Sequence, residues 1–502
     1  MGYSGYAPDR MSNLNQNDSQ AKSRQKALGL LAVFLLIFLL SGSGARWLGA
    51  AAVSEAAAPT SGESGNCLWQ LDMLGELAIK PEPGTDGMLE NYDIESPPPW
   101  AAHKGDILSI RIEPGVKANE SVFSMFYGCE NLTTADAANL DTSGTVRMSS
   151  MFEGCESLLA LDVSGWDTRR VEDMGAAFSG CASLMALDVS RWDTGSVTAM
   201  NSLFDDCMGL RDLDVSRWNT ARVEDMNWLF SGCAGLNVLD VSGWDTGSVT
   251  TMRGLFFGCE NVTALDVRSW NTSKVTDMQS LFDDCRNVTM LDIGSWHTGS
   301  VTTMRSLFGG CENVMALDVS GWDTSRVTDM ARMFYHCEAL TELDVSRWDT
   351  ASVMDMNGVF YSCVGLEALD VSRWDTGNVT DMLGLFYACT ALRELDVSGW
   401  DTGKVTNMSG VFYICASLGE LDVSGWNTAN VTDMSWLFAS CHRIEALDLS
   451  RWDTSKVTEM KRMFSDCRGL RTLDVSGWNT GSVTDMDWMF DGCESLEAKP
   501  LI

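Results

Sequence analysis

Residues Leu317–Glu342 read LDVSGWDTSRVTDMARMFYHCEALTE, and this 26-residue pattern recurs down most of the chain. Its tryptophan, Trp322, belongs to a series of thirteen at 26-residue intervals, from Trp166 to Trp478, with no insertion between them. Fifteen of the sixteen cysteines keep the same interval, from Cys129 to Cys493, and Cys67 stands apart. A fixed period of this size marks stacked supersecondary units. Within the unit, Leu317, Asp318 and Val319 alternate at period two. That predicts a short strand with Leu317 and Val319 inward and Asp318 outward. Val327, Met330, Met333, Phe334, Cys337 and Leu340 follow at spacings of three, four and seven, which predict a short helix with one buried stripe. Thr328 and Asp329 suit its first turn, as a capping hydroxyl and a carboxylate at the positive end of the dipole. One coil cannot bury its apolar face alone, so the coils stack with strands in parallel about 4.8 Å apart. The expected fold class is α/β, a solenoid with parallel strands on a concave face and short helices on a convex one.

Composition narrows the function classes. The chain has 502 residues, 45% of them hydrophobic, which is ample for a core and excludes wholesale disorder. Its formal net charge of −34 argues against nucleic acid, whose phosphates require clustered Lys and Arg. The same charge favours cations or basic partners.

Leu340-x-x-Leu343-x-Val345-x-x-Trp348 has the spacing of a leucine-rich repeat, with Trp where Asn or Cys is usual. The pattern LDVSxWDTxxVTDMxxMFxxC, as from Leu395 to Cys415, resembles the BspA-like subfamily of leucine-rich-repeat surface proteins over about three quarters of the chain. A second stretch looks like the β-rich N-terminal segment of such proteins: Cys67-Leu68-Trp69-Gln70-Leu71-Asp72, Leu77-Ala78-Ile79, Pro98-Pro99-Trp100 and Ile110-x-Ile112-x-x-Gly115-Val116. The resemblance implies a leucine-rich-repeat solenoid with a small β-rich cap, exposed on a cell surface or secreted and acting in adhesion and protein interaction. It supplies no catalytic residue. The unit before Leu161 is degenerate, with Leu140 in place of Trp, and suits a capping coil.

The organisation expected is a polar leader over residues 1–26, an apolar segment over 27–45, a linker over 46–64, a β-rich cap over 65–118 and the solenoid over 119–502. Lys22, Arg24 and Lys26 precede the apolar segment, which places the leader in the cytosol and the repeats outside. Two readings of the segment stay open: a transmembrane signal-anchor, and a signal peptide whose cleavage releases a secreted protein. Sequons at Asn119, Asn131, Asn261, Asn271, Asn287, Asn378, Asn407 and Asn430 are glycan acceptors in a eukaryotic secretory route. Several arise simply because Asn precedes the repeat's Val-Thr.

Four ladders invite a chemical reading. No two cysteines share a coil, so zinc-type spacing is absent, and buried free thiols are expected. The tryptophans are expected as core at the strand ends rather than as a sugar platform. Trp228, Trp436 and Trp488 fall on the helical segment instead and are candidates for a contact surface. The threonines from Thr168 to Thr480 are expected as local caps at the strand-to-helix turn, ahead of an ice-binding row. Asp292, Asp318, Asp344, Asp370 and Asp396 belong to a row of outward strand carboxylates. Crowding in such a row is expected to raise some pKa values or recruit cations, making it either a weak calcium ladder or a solvated acidic face with Ser and Arg partners. No other cofactor is expected. The histidines share no spacing and no catalytic set stands out, so the chain reads as a non-enzyme. The function expected is adhesion or protein–protein interaction, with the membrane and an extracellular protein or glycan as partners. The alternative is a structural component of the cell surface or extracellular matrix.

Overall fold

In the computed structural model, which describes residues 59–497, the chain opens with three antiparallel strands: β1 (Thr60–Ser64), β2 (Cys67–Leu71) and β3 (Glu76–Pro81). Strand β4 (Ser109–Ile112) then pairs in parallel with β3, and β5 (Thr134–Asp136) and β6 (Ala160–Asp162) continue in parallel. The cap and the first coils therefore share one six-stranded sheet. Of the stretches expected in the cap, Cys67–Leu71, Leu77–Ile79 and Ile110–Ile112 lie in β2, β3 and β4, while Pro98–Trp100 lies outside the strands. The linker expected to reach residue 64 ends earlier, because Thr60–Ser64 pairs along its whole length with β2. Trp100 closes the core at this end: its Nε1 donates to the Met125 carbonyl at 2.8 Å and its ring stacks on Phe126. The apolar segment 27–45 lies outside the described residues. Among the described residues, no helix is long and apolar enough to cross a membrane.

From β5 onward the chain is a leucine-rich-repeat solenoid of 26-residue coils, but two of its local elements differ from expectation. Leu-Asp-Val forms paired strands only near the ends, in β5, β6 and the pair β7 (Ala446–Asp448) and β8 (Thr472–Asp474). In the middle coils the pairing there thins to single bridges such as Ala316↔Glu342. The continuous parallel ladder lies elsewhere in the coil, running from Arg147 through Asp173, Asp329 and Asp355 to Asp485. The Thr-Asp expected to start a helix is thus a sheet position.

The helix itself is absent. The 3-10 turn Ala101–His103 is the helical element among the described residues. In the segment Met330–Cys337, every second N–H donates to the next coil: Met330 to Asp355, Arg332 to Asn357, Phe334 to Val359 and His336 to Tyr361, all at 2.7–3.1 Å. The intervening N–H groups close local turns, as Met333 to Met330 and Tyr335 to Arg332. An α-helix would spend those donors on its own carbonyls four residues back. Spending them between coils instead requires left-handed backbone at two positions, Arg332 (φ 57°) and His336 (φ 56°).

The inward assignment survives this change. Val327, Met330, Met333, Phe334, Cys337 and Leu340 are all fully buried. Phe334 sits 5.6 Å from both Phe308 and Phe360, and Trp348 stacks 6.2 Å from Trp374 with planes 4° apart. Each coil thus buries its rings against the same rings of its two neighbours, the cooperative unit of a solenoid.

Candidate interaction surface

The ladders resolve into scaffold and surface. Each Cys of the repeat lies in the core, and from Cys155 onward its thiol donates to the Phe carbonyl of the preceding coil, as Cys337 Sγ to Phe308 at 3.2 Å. Burial raises the thiols from Cys181 to Cys467, to about 12 for Cys181, so these are neutral. The tryptophans are core as well: Trp348 Nε1 donates to the Val319 carbonyl at 3.2 Å. The threonines from Thr168 to Thr454 are buried, but they are not local caps. Thr272 Oγ1 donates to the His297 carbonyl of the next coil at 3.0 Å and accepts from the His297 N–H at 2.9 Å. A buried row cannot serve as an ice-binding face. Several sequon amides also stitch coils, Asn378 to Ala351 and Asn430 to Gly403, both at 2.8 Å.

The carboxylate row is the surface. Asp318, Asp344, Asp370 and Asp396 stand exposed, each accepting from the backbone N–H and hydroxyl of the Ser two residues on. Asp292 is followed by Ile293-Gly294 and has no such serine. The expectation that crowding lifts these pKa values is overturned for Asp188, Asp214, Asp344 and Asp370. The serine hydroxyl is the largest influence on each, and it holds the carboxyl below the ordinary range. Arg347 and Arg373 pull the same way from a distance. Among the described residues, no three His, Cys, Asp or Glu side chains converge as a metal site requires.

Between the rows lies a trough. Glu342, Asp344, Glu367, Asp370, Glu394 and Asp396 flank a floor of Leu343, Leu369 and Leu395, enclosing about 890 Å³. A second hollow of about 1030 Å³ continues it past Glu420 and Asp422 to Asp448. The floor leucines are buried and the flanking acids exposed. Neutralisation is sparse, with Arg393 meeting Glu367 at 3.2 Å on an exposed rim. Sequence reasoning named the Asp row but not the Glu row beside it. Glu342, Glu394 and Glu420, two residues before the Asp, recur at 26-residue multiples and would have revealed it.

The turn side carries the second surface feature. Trp228 and Trp436 are half-buried and Trp488 is exposed, as expected of contact candidates. The tyrosines beside them, Tyr335, Tyr361, Tyr387 and Tyr413, were not anticipated, although they too keep the 26-residue interval.

The family model described as "Mycoplasma protein of unknown function, DUF285" matches residues 120–239, 225–338, 302–395 and 392–501. The chain belongs to this family. None of the curated proteins matches it. Among solved structures it is similar to a leucine-rich repeat protein from Eubacterium ventriosum: 16% identity, 88% of this chain and 97% of that one covered, TM-score 0.37. A leucine-rich repeat protein from Bacteroides ovatus is also similar: 16% identity, 87% and 91% covered, TM-score 0.37. So is a leucine rich cell surface protein from Faecalibacterium prausnitzii: 17% identity, 84% and 95% covered, TM-score 0.33.

Proposed function

We propose that this chain is a non-enzymatic, BspA-like surface protein whose acidic trough binds a positively charged protein partner. The observation that carries the reading is the trough itself, in which two carboxylates per coil rise beside an apolar leucine floor with few neutralising cations. Such a surface supplies electrostatic steering and complementarity to a basic partner. Location on the cell surface, by an N-terminal anchor or after secretion, belongs to the same proposal. It is supported by the Lys22, Arg24 and Lys26 cluster ahead of residues 27–45.

The test uses the full chain and peptides of equal length, one rich in Lys and Arg and one rich in Glu. The basic peptide binds, and its affinity falls steeply between 50 mM and 500 mM salt. The variant Glu342→Gln/Asp370→Asn/Glu394→Gln loses most of that affinity. Equal binding of the two peptides, or a variant that binds as well as the parent, overturns the reading. Binding to a glycan array but to neither peptide would assign the surface to sugars.

A further inference from the structure

On the turn side, three consecutive coils combine a charge-free turn segment, which Met174–Leu184 and Met226–Leu236 also have, with a tyrosine at one shared position. The segments Met356–Leu366, Met382–Leu392 and Met408–Leu418 contain no Asp, Glu, Lys or Arg, in a chain of net charge −34. Across them runs an aromatic stripe of half-buried rings. Tyr335 and Tyr361 have centroids 4.8 Å apart, Tyr361 and Tyr387 4.0 Å, Tyr387 and Tyr413 4.8 Å, and Tyr413 and Trp436 5.1 Å. Asp355 and Asp381 stand directly before the first two segments, and arginines meet the rings at the two ends of the stripe. Arg332 lies over Tyr335, and the Arg462 guanidinium sits between Trp436 and Trp488, at 4.7 and 4.6 Å from their centroids.

The backbone is arranged to hold the stripe. The turn position occupied by Arg332 in one coil is Gly358, Gly384 and Gly410 in the next three, all left-handed. A Cβ at Gly384 would sit 3.2 Å from the Tyr361 ring, closer than ordinary contact, so glycine there lets the rings lie against each other.

We infer that this stripe is a self-association surface, pairing with the same stripe of a second copy about a two-fold axis. Three observations converge on that occupant. The rings of Tyr361 and Tyr387 stack on one another, so those faces are spent, and the ring edges are what a partner meets. That disfavours a sugar, which would stack on free faces. One ring per coil also sets a repeat that an extended peptide, rising about 3.3 Å per residue, cannot match ring for ring. A second solenoid of the same rise can. Finally, two bodies of charge −34 repel wherever their carboxylates face each other, and three adjacent turn segments without charged side chains lessen that penalty. A basic partner, by contrast, is drawn to the trough. An isologous two-fold pair is also the commonest closed association. The four tyrosines cover only about 15–20 Å along the axis, so the contact is at the weak end of specific interfaces.

Sedimentation of the full chain at rising concentration tests this. The parent shifts from monomer to dimer, and the shift moves to lower concentration as salt rises, because screening shortens the reach of the repulsion from about 10 Å at 0.1 M to about 3 Å at 1 M. Binding of the basic peptide to the trough has the opposite salt dependence, so failure of one proposal is distinguishable from failure of the other. Tyr361→Glu/Tyr387→Glu stays monomeric at least tenfold above the parent's midpoint. Leu383→Glu, which alters an exposed side chain on the same turn and leaves the core intact, weakens the dimer in the same direction. A melting curve for each variant separates loss of contact from loss of fold. A parent that stays monomeric in high salt, or a dimer indifferent to both folded variants, overturns the proposal. A monomeric parent that instead uses Tyr361 and Tyr387 to hold an acidic protein or a lipid vesicle also overturns it.

Discussion

Thr272→Val tests the claim that the threonine row is inter-coil scaffold rather than local capping. Thr272 is fully buried, and its hydroxyl both donates to the His297 carbonyl and accepts from the His297 N–H. Valine has nearly the same shape, so it opens no cavity. The substitution removes two hydrogen bonds worth roughly 1 kcal/mol each and strands a partly buried N–H, at about 1 kcal/mol more, for a local loss of about 2–3 kcal/mol. Thr276→Val is the control. Its hydroxyl makes a single exposed bond to the Thr250 carbonyl at 3.2 Å, and its loss should fall within about 0.5 kcal/mol. Global unfolding of a long array is not two-state, so hydrogen exchange at the His297 amide and its neighbours is the appropriate reading. The predicted loss corresponds to roughly 30- to 150-fold faster exchange in the coils holding Thr272 and His297, fading with distance along the array. Exchange altered less than threefold, or altered equally by Thr276→Val, would refute the cross-coil role.

Four further perturbations probe the core, the thiols and the charged rows. Phe334→Ala should cost about 3–5 kcal/mol, because a ring packed between Phe308 and Phe360 leaves a cavity; unchanged exchange at those neighbours would show that the turn segment does not face inward. Ellman's reagent at pH 8 should find few reactive thiols in the native chain and all sixteen in denaturant, since burial holds Cys67 at about 11 and Cys259 at about 12; rapid native labelling of the repeat cysteines would contradict their core placement. Burial lifts Asp283 to about 6, so the fold favours its neutral form and stability falls as pH rises from about 4 through 6; Asp283→Asn should therefore raise Tm at pH 7.5 and leave it unchanged at pH 4, and the reverse order would reject that sign. Weak calcium binding along Asp292, Asp318, Asp344, Asp370 and Asp396 remains a proposal: calcium should raise Tm, and Asp344→Asn/Asp370→Asn/Asp396→Asn should abolish the rise, whereas a flat titration at low salt leaves the row as acidic surface alone.

The array and its buried positions were legible because they depend on period and polarity, which repetition makes plain. Leu317, Val319, Trp322, Val327, Met330, Phe334, Cys337 and Leu340 all lie where their spacing put them. The secondary structure of the turn segment was not legible from the same spacing. Positions three and four apart share a helix face, but they share the inner side of a chain of tight turns equally well. The unit from Leu317 hid the difference, because its two left-handed positions hold Arg332 and His336. Other coils show it: Gly358, Gly384 and Gly410 at the first position and Gly310 and Gly492 at the second are poor helix residues and good left-handed ones. The threonine row was misassigned for a related reason. Within one coil, Thr after Asp or Asn looks like a cap, and only the stacked structure brings the next coil's backbone to its hydroxyl.

What repetition conceals is its own exceptions, and the surface is made of them. Asp344 is outward in a unit of any length, so an averaged repeat finds the acidic row. Tyr361, Tyr387 and Tyr413 occupy a position that is Ser179, Asp205, Ser231, Phe257, Asp283 and Gly309 in earlier coils, so an averaged repeat discards it as variable. The physical demand on that position is only that the chain turn there, and Ser, Asp, Gly and Tyr all allow it. Residue choice is then free of the fold and open to selection for contact. A run of adjacent coils making the same costly choice, half-exposed tyrosine rings stacked on one another, is difficult to attribute to folding, because the neighbouring coils fold without it.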